Sequence, residues 1–267
     1  MEIAGQGKQS PCLLVKNGGN RPGLVLAQQR QNTRHSNWVY LLTVGIVLIT
    51  FSCSCGKMVI VTTPPPVGGE ATMKLPEPRD DSEVSLEQSL LQRRSIRSYT
   101  GQPLTLQEVS QLLWAAQGIT DPGGFRTAPS AGALYPLEVY VLVGNVQGLP
   151  SGVYRYEPDG HQLVRTMDGD RRDGLAGAAL EQDCVKEGAV AFVFTAVYER
   201  TTGKYGDRGI RYVHIEVGHA AQNLCLQATV MGLGAVTIGA FYDEQVTELL
   251  DLPEKEQPLY IIPVGRK

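Results

Sequence analysis

Apolar residues recur at helical spacing in two runs near the middle of the chain: Leu86, Leu90 and Leu91 first, then Leu106, Val109, Leu112, Leu113 and Ala116. Thr105 stands three residues ahead of Glu108, the reciprocal capping pair that satisfies exposed N–H groups at a helix start, and Gly118 supplies the stop. The pattern then changes period. Glu138 to Val143 is β-rich, and Val153–Tyr156 and His161–Arg165 flank a Pro158-Asp159-Gly160 turn, which predicts a hairpin at the edge of a sheet. Ala189 to Tyr198 is almost continuously apolar, as in a strand buried on both faces. From Gly209 to Met231, Ile210, Val213, Val217, Ala221, Leu224 and Ala228 keep a helical period, predicting one long helix across the domain and ended by Gly232-Leu233-Gly234. A strand over Ala235–Phe241, a short helix over Glu244–Leu250 and a last strand over Leu259–Val264 complete an alternation of helices and strands around one sheet, either α+β or α/β.

The stretch before this pattern reads differently. Residues 1–37 are rich in Gly, Gln and Asn without periodicity, the signature of disorder or of a start codon placed too early. Trp38 to Phe51 is uncharged and apolar, preceded by Arg30, Arg34 and His35 and followed by Cys53 and Cys55 among small residues. Three readings stay open for 38–55: a lipoprotein-type signal, an uncleaved membrane anchor, or a helix buried in the domain. The first two place the protein in the cell envelope, and a mis-called start leaves it cytoplasmic. Residues 56–83 carry Pro64-Pro65-Pro66, Gly68-Gly69, Pro76 and Pro78 and read as a semi-rigid linker, so the folded domain is expected at 84–267.

Charge and cysteines narrow the function classes. A formal net charge of -3 over 267 residues, with no basic stripe interleaved with aromatics, gives no argument for nucleic acid. The five cysteines form no CxxC pair and have no histidines at ligand spacing, so no metal site is expected; Cys184 and Cys225 read as small buried hydrophobes. His214 and His219, five apart, do not share a helix face as metal ligands would, and an interior hydrogen-bonded role is expected.

Candidate chemistry concentrates in two segments. Arg93-Arg94-Ser95-Ile96-Arg97 puts three guanidiniums and a hydroxyl within five residues between two predicted helices, a donor set suited to a phosphate, with a charged surface as the alternative. Pro129-Ser130-Ala131-Gly132, within PSAGALYP, has side chains small enough for the backbone to approach a flat ring, with a plain turn as the alternative.

These two segments, with GLGAVTIGAF and the terminal PVGRK in the same order, resemble the nitroreductase superfamily of flavin-dependent oxidoreductases over essentially Val84 to Lys267. The resemblance implies an α+β fold with a central, mainly antiparallel sheet flanked by helices, a long central helix, and FMN held at a homodimer interface. It places Arg93, Arg94, Ser95 and Arg97 on the phosphate and ribityl chain, Pro129, Ser130, Ala131 and Gly132 along the flavin, and Ile238, Gly239 and Ala240 near its polar edge. Arg266 matches a late basic residue near the phosphate.

Lys204-Tyr205, with the following Gly206-Asp207-Arg208-Gly209, Arg211-Tyr212 and Gly218-His219, is similar to the branch containing the azoline dehydrogenases, which use an adjacent Lys-Tyr pair beside the flavin. Oxidising an azoline removes a proton from one ring carbon while hydride leaves another, so a base is needed. Lysine serves only when its pKa is lowered, and Arg208 and Arg211 would act in that direction if they pointed inward. A dehydrogenase of a small organic substrate, an NAD(P)H-dependent nitro or quinone reductase, and a non-catalytic membrane-tethered binding module therefore remain as readings.

Overall fold

The computed structural model describes residues 72–267. The Gly/Gln/Asn-rich start, the Trp38–Phe51 segment with its neighbouring cysteines, and the linker up to residue 71 lie outside the described residues. Among the described residues no helix is long and apolar enough to cross a membrane.

In chain order the elements are β1 (Thr72–Lys74), α1 (Leu86–Gln92), β2 (Leu104–Thr105), α2 (Leu106–Gln117), β3 (Leu137–Val143), β4 (Val146–Gln147), β5 (Gly152–Glu157), β6 (Gln162–Asp168), α3 (Arg172–Ala178), α4 (Asp183–Glu187), β7 (Val190–Val197), α5 (Glu199–Tyr205), α6 (Arg208–Val230), β8 (Leu233–Ala235), α7 (Asp243–Leu250) and β9 (Glu256–Arg266). Seven strands form one sheet in the order β1-β6-β5-β3-β7-β9-β8, and every neighbouring pair is antiparallel. This is an α+β arrangement. The short β2 and β4 pair separately in parallel.

β7 explains why the sheet is covered on both faces. Phe192, Phe194 and Ala196 enter the core shared with α2 and α6, whereas Ala191 and Val193 enter the core shared with α3 and α7. All are fully buried, and each phenylalanine contributes about 1.5–3 kcal/mol of transfer free energy. The 23-residue α6 turns Val213, Val217, Ala220, Ala221, Leu224 and Ala228 into the first core. Capping boxes from Ser85 and Thr105 start α1 and α2, and both cysteines of the domain are free and buried.

Three local expectations change. The domain starts before Val84: Thr72–Lys74 pairs with β6 and Leu75 is a core residue, so part of the presumed linker is an edge strand that covers the β5–β6 hairpin. The strand expected over Ala235–Phe241 ends at Ala235, and beyond it only Ile238 returns to the sheet, exchanging two backbone hydrogen bonds with Ile261. In α1 only Ser89 is buried, and Leu86, Leu90 and Leu91 face outward. The apolar period there marks a surface to be covered rather than a core face.

Candidate functional site

The arginine-rich segment is held by its backbone. Leaving α1, the chain pairs with β8 through Ser95 and Ala235, Ile96 N–H donates to Ala235 O at 2.9 Å, and Thr100 N–H donates to Arg266 O at 2.9 Å. Tyr99 fixes the stretch between. A Cβ on Gly265 would lie 2.8 Å from the Tyr99 ring, and one on Gly234 would lie 2.7 Å from Ile96 Cγ2, so both glycines make room for this segment. The Tyr99 hydroxyl reaches Ile96 O at 3.0 Å and Pro263 O at 3.2 Å.

The side chains of the same segment are turned outward. Arg93 is half-buried, and Arg94, Ser95 and Arg97 are exposed. Arg94 Nη1 donates to the carbonyls of Leu91 and Arg93, and none of Arg93, Arg94 and Arg97 forms an ion pair among the described residues. Arg266 behaves differently. Its Nη2 pairs with Glu108 at 2.9 Å and its Nε donates to Pro103 O at 3.1 Å, so in the chain as described this guanidinium ties the last strand to the start of α2 instead of standing open beside the other three. Of the third predicted segment, Ile238 is buried in the sheet, while Gly239 and Ala240 are exposed.

The second segment is held by side chains around it. Pro129 and Gly132 are exposed, Ser130 and Ala131 half-buried, and Ala131–Ala133 forms a 3-10 turn. Gly132, Ala133 and Tyr135 all have positive φ, at 66°, 54° and 46°, a costly run for the two residues that carry a Cβ. Tyr135 N–H donates to Ser130 Oγ at 2.9 Å, and Arg200 of α5 donates to Tyr135 O at 3.1 Å while pairing with Glu138 at 2.6 Å. One helical turn beyond Arg200, Lys204 meets the same segment. A Cβ on Gly132 would lie 2.9 Å from Lys204 Nζ and 2.7 Å from the Tyr205 hydroxyl. The glycine is therefore what lets the PSAG backbone lie directly on the Lys-Tyr pair. Tyr205 is in turn edge-on to Tyr212 at 5.2 Å.

The two halves of the predicted site stand at opposite ends of β7. The arginine segment lies on β8, whose Ala235 pairs with Val264, which pairs with Val190 at the start of β7. Lys204 follows the other end, where Ala196 pairs with Leu137 just after PSAGALYP. β7 runs eight residues, so its ends lie roughly 23 Å apart. A profile of the nitroreductase family matches residues 90–266. The chain belongs to the nitroreductase family.

Three relatives frame this nitroreductase-family chain. It is 52% identical over 196 residues to a protein of Methanocaldococcus jannaschii that carries the nitroreductase name, covering 73% of this chain and 98% of the relative. It is 29% identical over 184 residues to the FMN reductase (NADPH) of Bacillus subtilis, covering 67% of this chain and 64% of the relative. Among solved structures, a chain of the Escherichia coli microcin synthetase McbBCD complex with truncated pro-MccB17 bound matches at 25% identity and a TM-score of 0.58, over 70% of this chain and 76% of that one.

Within this nitroreductase-family domain, a polar cluster behind the PSAG turn escaped the sequence reading. Glu216 on α6 is 2% exposed, and its Oε1 has no hydrogen-bond partner among the described residues. Burial pushes its carboxyl up to about 7, against the pull of the Ser130 side chain and Arg126. Arg126 stacks 4.4 Å from the centre of the Tyr135 ring and donates to the buried Gln117 at 2.8 Å. The signal was present: Glu216 falls between Val213 and Ala220 on the apolar stripe of α6, where a carboxylate has no structural benefit of its own. The histidines moved the other way. His214 and His219 are both exposed, and His214 Nε2 meets the Tyr198 hydroxyl at 2.6 Å rather than an interior partner. Arg208 and Arg211 are exposed as well, lining a surface depression with His214.

Proposed function

We propose that this chain is an FMN-dependent oxidoreductase that acts as a homodimer and oxidises a small, azoline-like organic substrate. The observation that carries the reading is the contact of Gly132 with Lys204 Nζ and the Tyr205 hydroxyl, because it joins the segment that resembles a flavin-lying backbone to the pair that resembles an azoline dehydrogenase's. The donor set fits FMN. Three guanidiniums without an ion-pair partner among the described residues suit a phosphate monoester, and the exposed backbone at Gly132 suits a flat ring. Arg93, Arg94, Ser95 and Arg97 would hold the phosphate end, and Pro129 to Gly132 would lie along the ring. Bound FMN supplies a two-electron hydride acceptor.

The separation of the two halves along β7 supports the homodimer. One protomer's arginines and its own PSAG turn sit toward opposite ends of β7, and a second copy would offer each half an unlike partner. The outward Leu86, Leu90, Leu91, Ile210 and Ile215 supply apolar surface for that contact.

In substrate oxidation, Lys204 would take the proton from the ring carbon, and the Tyr205 hydroxyl beside it would orient the substrate. The likeness to the FMN reductase (NADPH) of Bacillus subtilis favours a second reading, in which NAD(P)H supplies the hydride to the flavin and a nitro or quinone compound takes it away.

Two measurements decide. The purified protein should show the oxidised flavin band at about 450 nm, from the cofactor's own chemistry; a colourless protein that cannot be reconstituted with FMN defeats both readings. Anaerobic mixing with NADPH or NADH then separates them: rapid bleaching of the band supports the reductase, and bleaching by an azoline peptide alone supports the dehydrogenase.

A further inference from the structure

We infer that Arg200 is a positioning residue: by gripping Tyr135 O and Glu138 together it docks α5 on the PSAG turn and so sets Lys204 and Tyr205 against Gly132. The inference rests on the proposed role of that pair beside the substrate.

The packing of α5 does not aim it. Of its seven residues only Thr201 is buried, Gly203 weakens its middle, and it begins at Tyr198 without a side-chain cap. Two backbone supports exist. Val197 N–H, just ahead of the helix, donates to Pro136 O at 2.9 Å, and α5 rests on α6 at Gly209, where a Cβ would lie 2.9 Å from Thr202 Cα. The first fixes where the helix starts and the second fixes its contact with α6, but neither reaches residues 130–135. Arg200 does. Its Nη1 donates to Tyr135 O at 3.1 Å while its Nη2 pairs with Glu138 Oε1 at 2.6 Å. Among the described residues no other hydrogen bond joins α5 to residues 130–135.

Both acceptors are themselves well placed. The Glu138 side chain is 16% exposed against 41% for Arg200, and it stands on β3, where Glu138 is held opposite Thr195 of β7. The sheet therefore orients one edge of the planar guanidinium, and the other edge meets the turn. Tyr135 has a φ of 46° immediately before Pro136, a position that sterics push toward extended backbone. Its N–H goes to Ser130 Oγ at 2.9 Å, Arg126 N–H donates to its hydroxyl at 3.3 Å, and the Arg126 guanidinium stacks 4.4 Å from its ring centre. Those contacts hold Tyr135 within its own stretch of chain, whereas Arg200 ties it to the helix that carries the Lys-Tyr pair. An ion pair this exposed adds little to stability. Its consequence is geometric, because Lys204 lies one turn further along the same face of α5.

The test is the nuclear Overhauser contact between the Gly132 α-protons and the Tyr205 ring protons in full-length apo-protein, for the wild type, R200M, E138A and R200M/E138A. A Cβ on Gly132 would lie 3.4 Å from Tyr205 Cε2, so the wild type should show the contact. In R200M, which keeps the aliphatic stem and loses the fork, the contact should be lost while β7 amides keep their wild-type exchange rates. E138A should weaken it, and the double variant should be no worse than R200M because both changes cut one clamp. A wild-type contact in R200M, even at reduced Tm, or additive effects in the double variant, overturns the inference. If R200M does not fold, E138A alone decides: it frees the guanidinium from the sheet, and an undiminished contact overturns the inference. In the FMN-loaded protein, oxidation of an azoline peptide by R200M in single turnover should slow by up to about a hundredfold with peptide affinity little changed, the cost of misplacing a reacting group by about 1 Å. A wild type that oxidises no azoline defeats the proposed activity and leaves the Gly132–Tyr205 result standing.

Discussion

The arginine segment and the PSAG turn are both short connections expected to meet the same cofactor, yet they are built in opposite ways. Residues 93–99 have a backbone locked by sheet pairing and by Tyr99 seated on Gly234 and Gly265, and they present three arginines, half-buried at 93 and exposed at 94 and 97, without ion pairs among the described residues. Residues 130–135 present backbone, at Gly132, and are held by Arg200 of α5, with Asn223 of α6 on Thr127 just ahead of them. A segment that works through its side chains needs a rigid main chain beneath it. One that works through its main chain needs polar side chains around it, as Arg200 serves Tyr135 O.

The largest effect should come from breaking what the turn presents. Lys204→Ala removes the proposed base, and the substrate-oxidation rate in single turnover should fall by about 10²–10⁴ while the 450 nm flavin band stays intact. Loss of FMN in that variant would move Lys204 from the reaction to cofactor binding and erase the contrast between the segments. The next effect lies behind the turn. Glu216 has a folded-state pKa pushed to about 7 from 4.5, so the native state holds a proton that the unfolded chain has released. Its contribution is full below about pH 4.5 and is lost as pH rises through 7, by up to about 3 kcal/mol. Urea unfolding of the wild type minus that of E216Q, measured between pH 4.5 and 7.5, should decline with that sign; a flat difference would mean that Glu216 ionises normally.

This contrast also explains what was legible in the sequence. Elements whose cause is local were readable: the Thr105–Glu108 capping box starts α2, the long apolar period of α6 is a helix of 23 residues, and the buried run of β7 is an interior strand of the sheet. The candidate segments were readable because their residues are contiguous. Long-range polar pairing was not. Nothing near Arg266 announces Glu108, 158 residues earlier, as its partner, and nothing near Thr127 announces Asn223, 96 residues later. The early edge strand at Thr72–Lys74 was hidden because three residues among prolines show no period, and only β6 gives them a structure. Leu86, Leu90 and Leu91 show the limit of periodicity itself, which identifies a helix without saying whether its apolar side meets a core or another molecule.

On the arginine side, side-chain changes should act on binding alone. Arg93→Ala and Arg97→Ala should each weaken FMN by about tenfold to a hundredfold, the worth of a charge-assisted hydrogen bond, with unfolding temperature in the absence of FMN nearly unchanged. Fluorescence titration of apo-protein measures this, and the loss should shrink at high salt as screening weakens the wild-type contact. Arg266→Ala should show the reverse, costing stability through the half-buried Glu108 and sparing FMN. FMN weakened as much as in Arg97→Ala would return Arg266 to the phosphate.

The smallest effect tests whether the rigid backbone beneath those arginines matters. Tyr99→Phe keeps the ring on Gly234 and Gly265 but deletes the hydroxyl that reaches the carbonyls of Ile96 and Pro263. The loss should be about 1 kcal/mol, or about 2–4 °C in Tm for a domain of this size. Because Ile96 lies between Arg94 and Arg97, a backbone that loosens there should also lower FMN affinity by a small factor, without any charge having been removed. An unchanged affinity at reduced Tm would show that the sheet pairing of Ser95 and Ile96 with Ala235 suffices to aim the guanidiniums, and that the tyrosine serves only to seal the edge of the core.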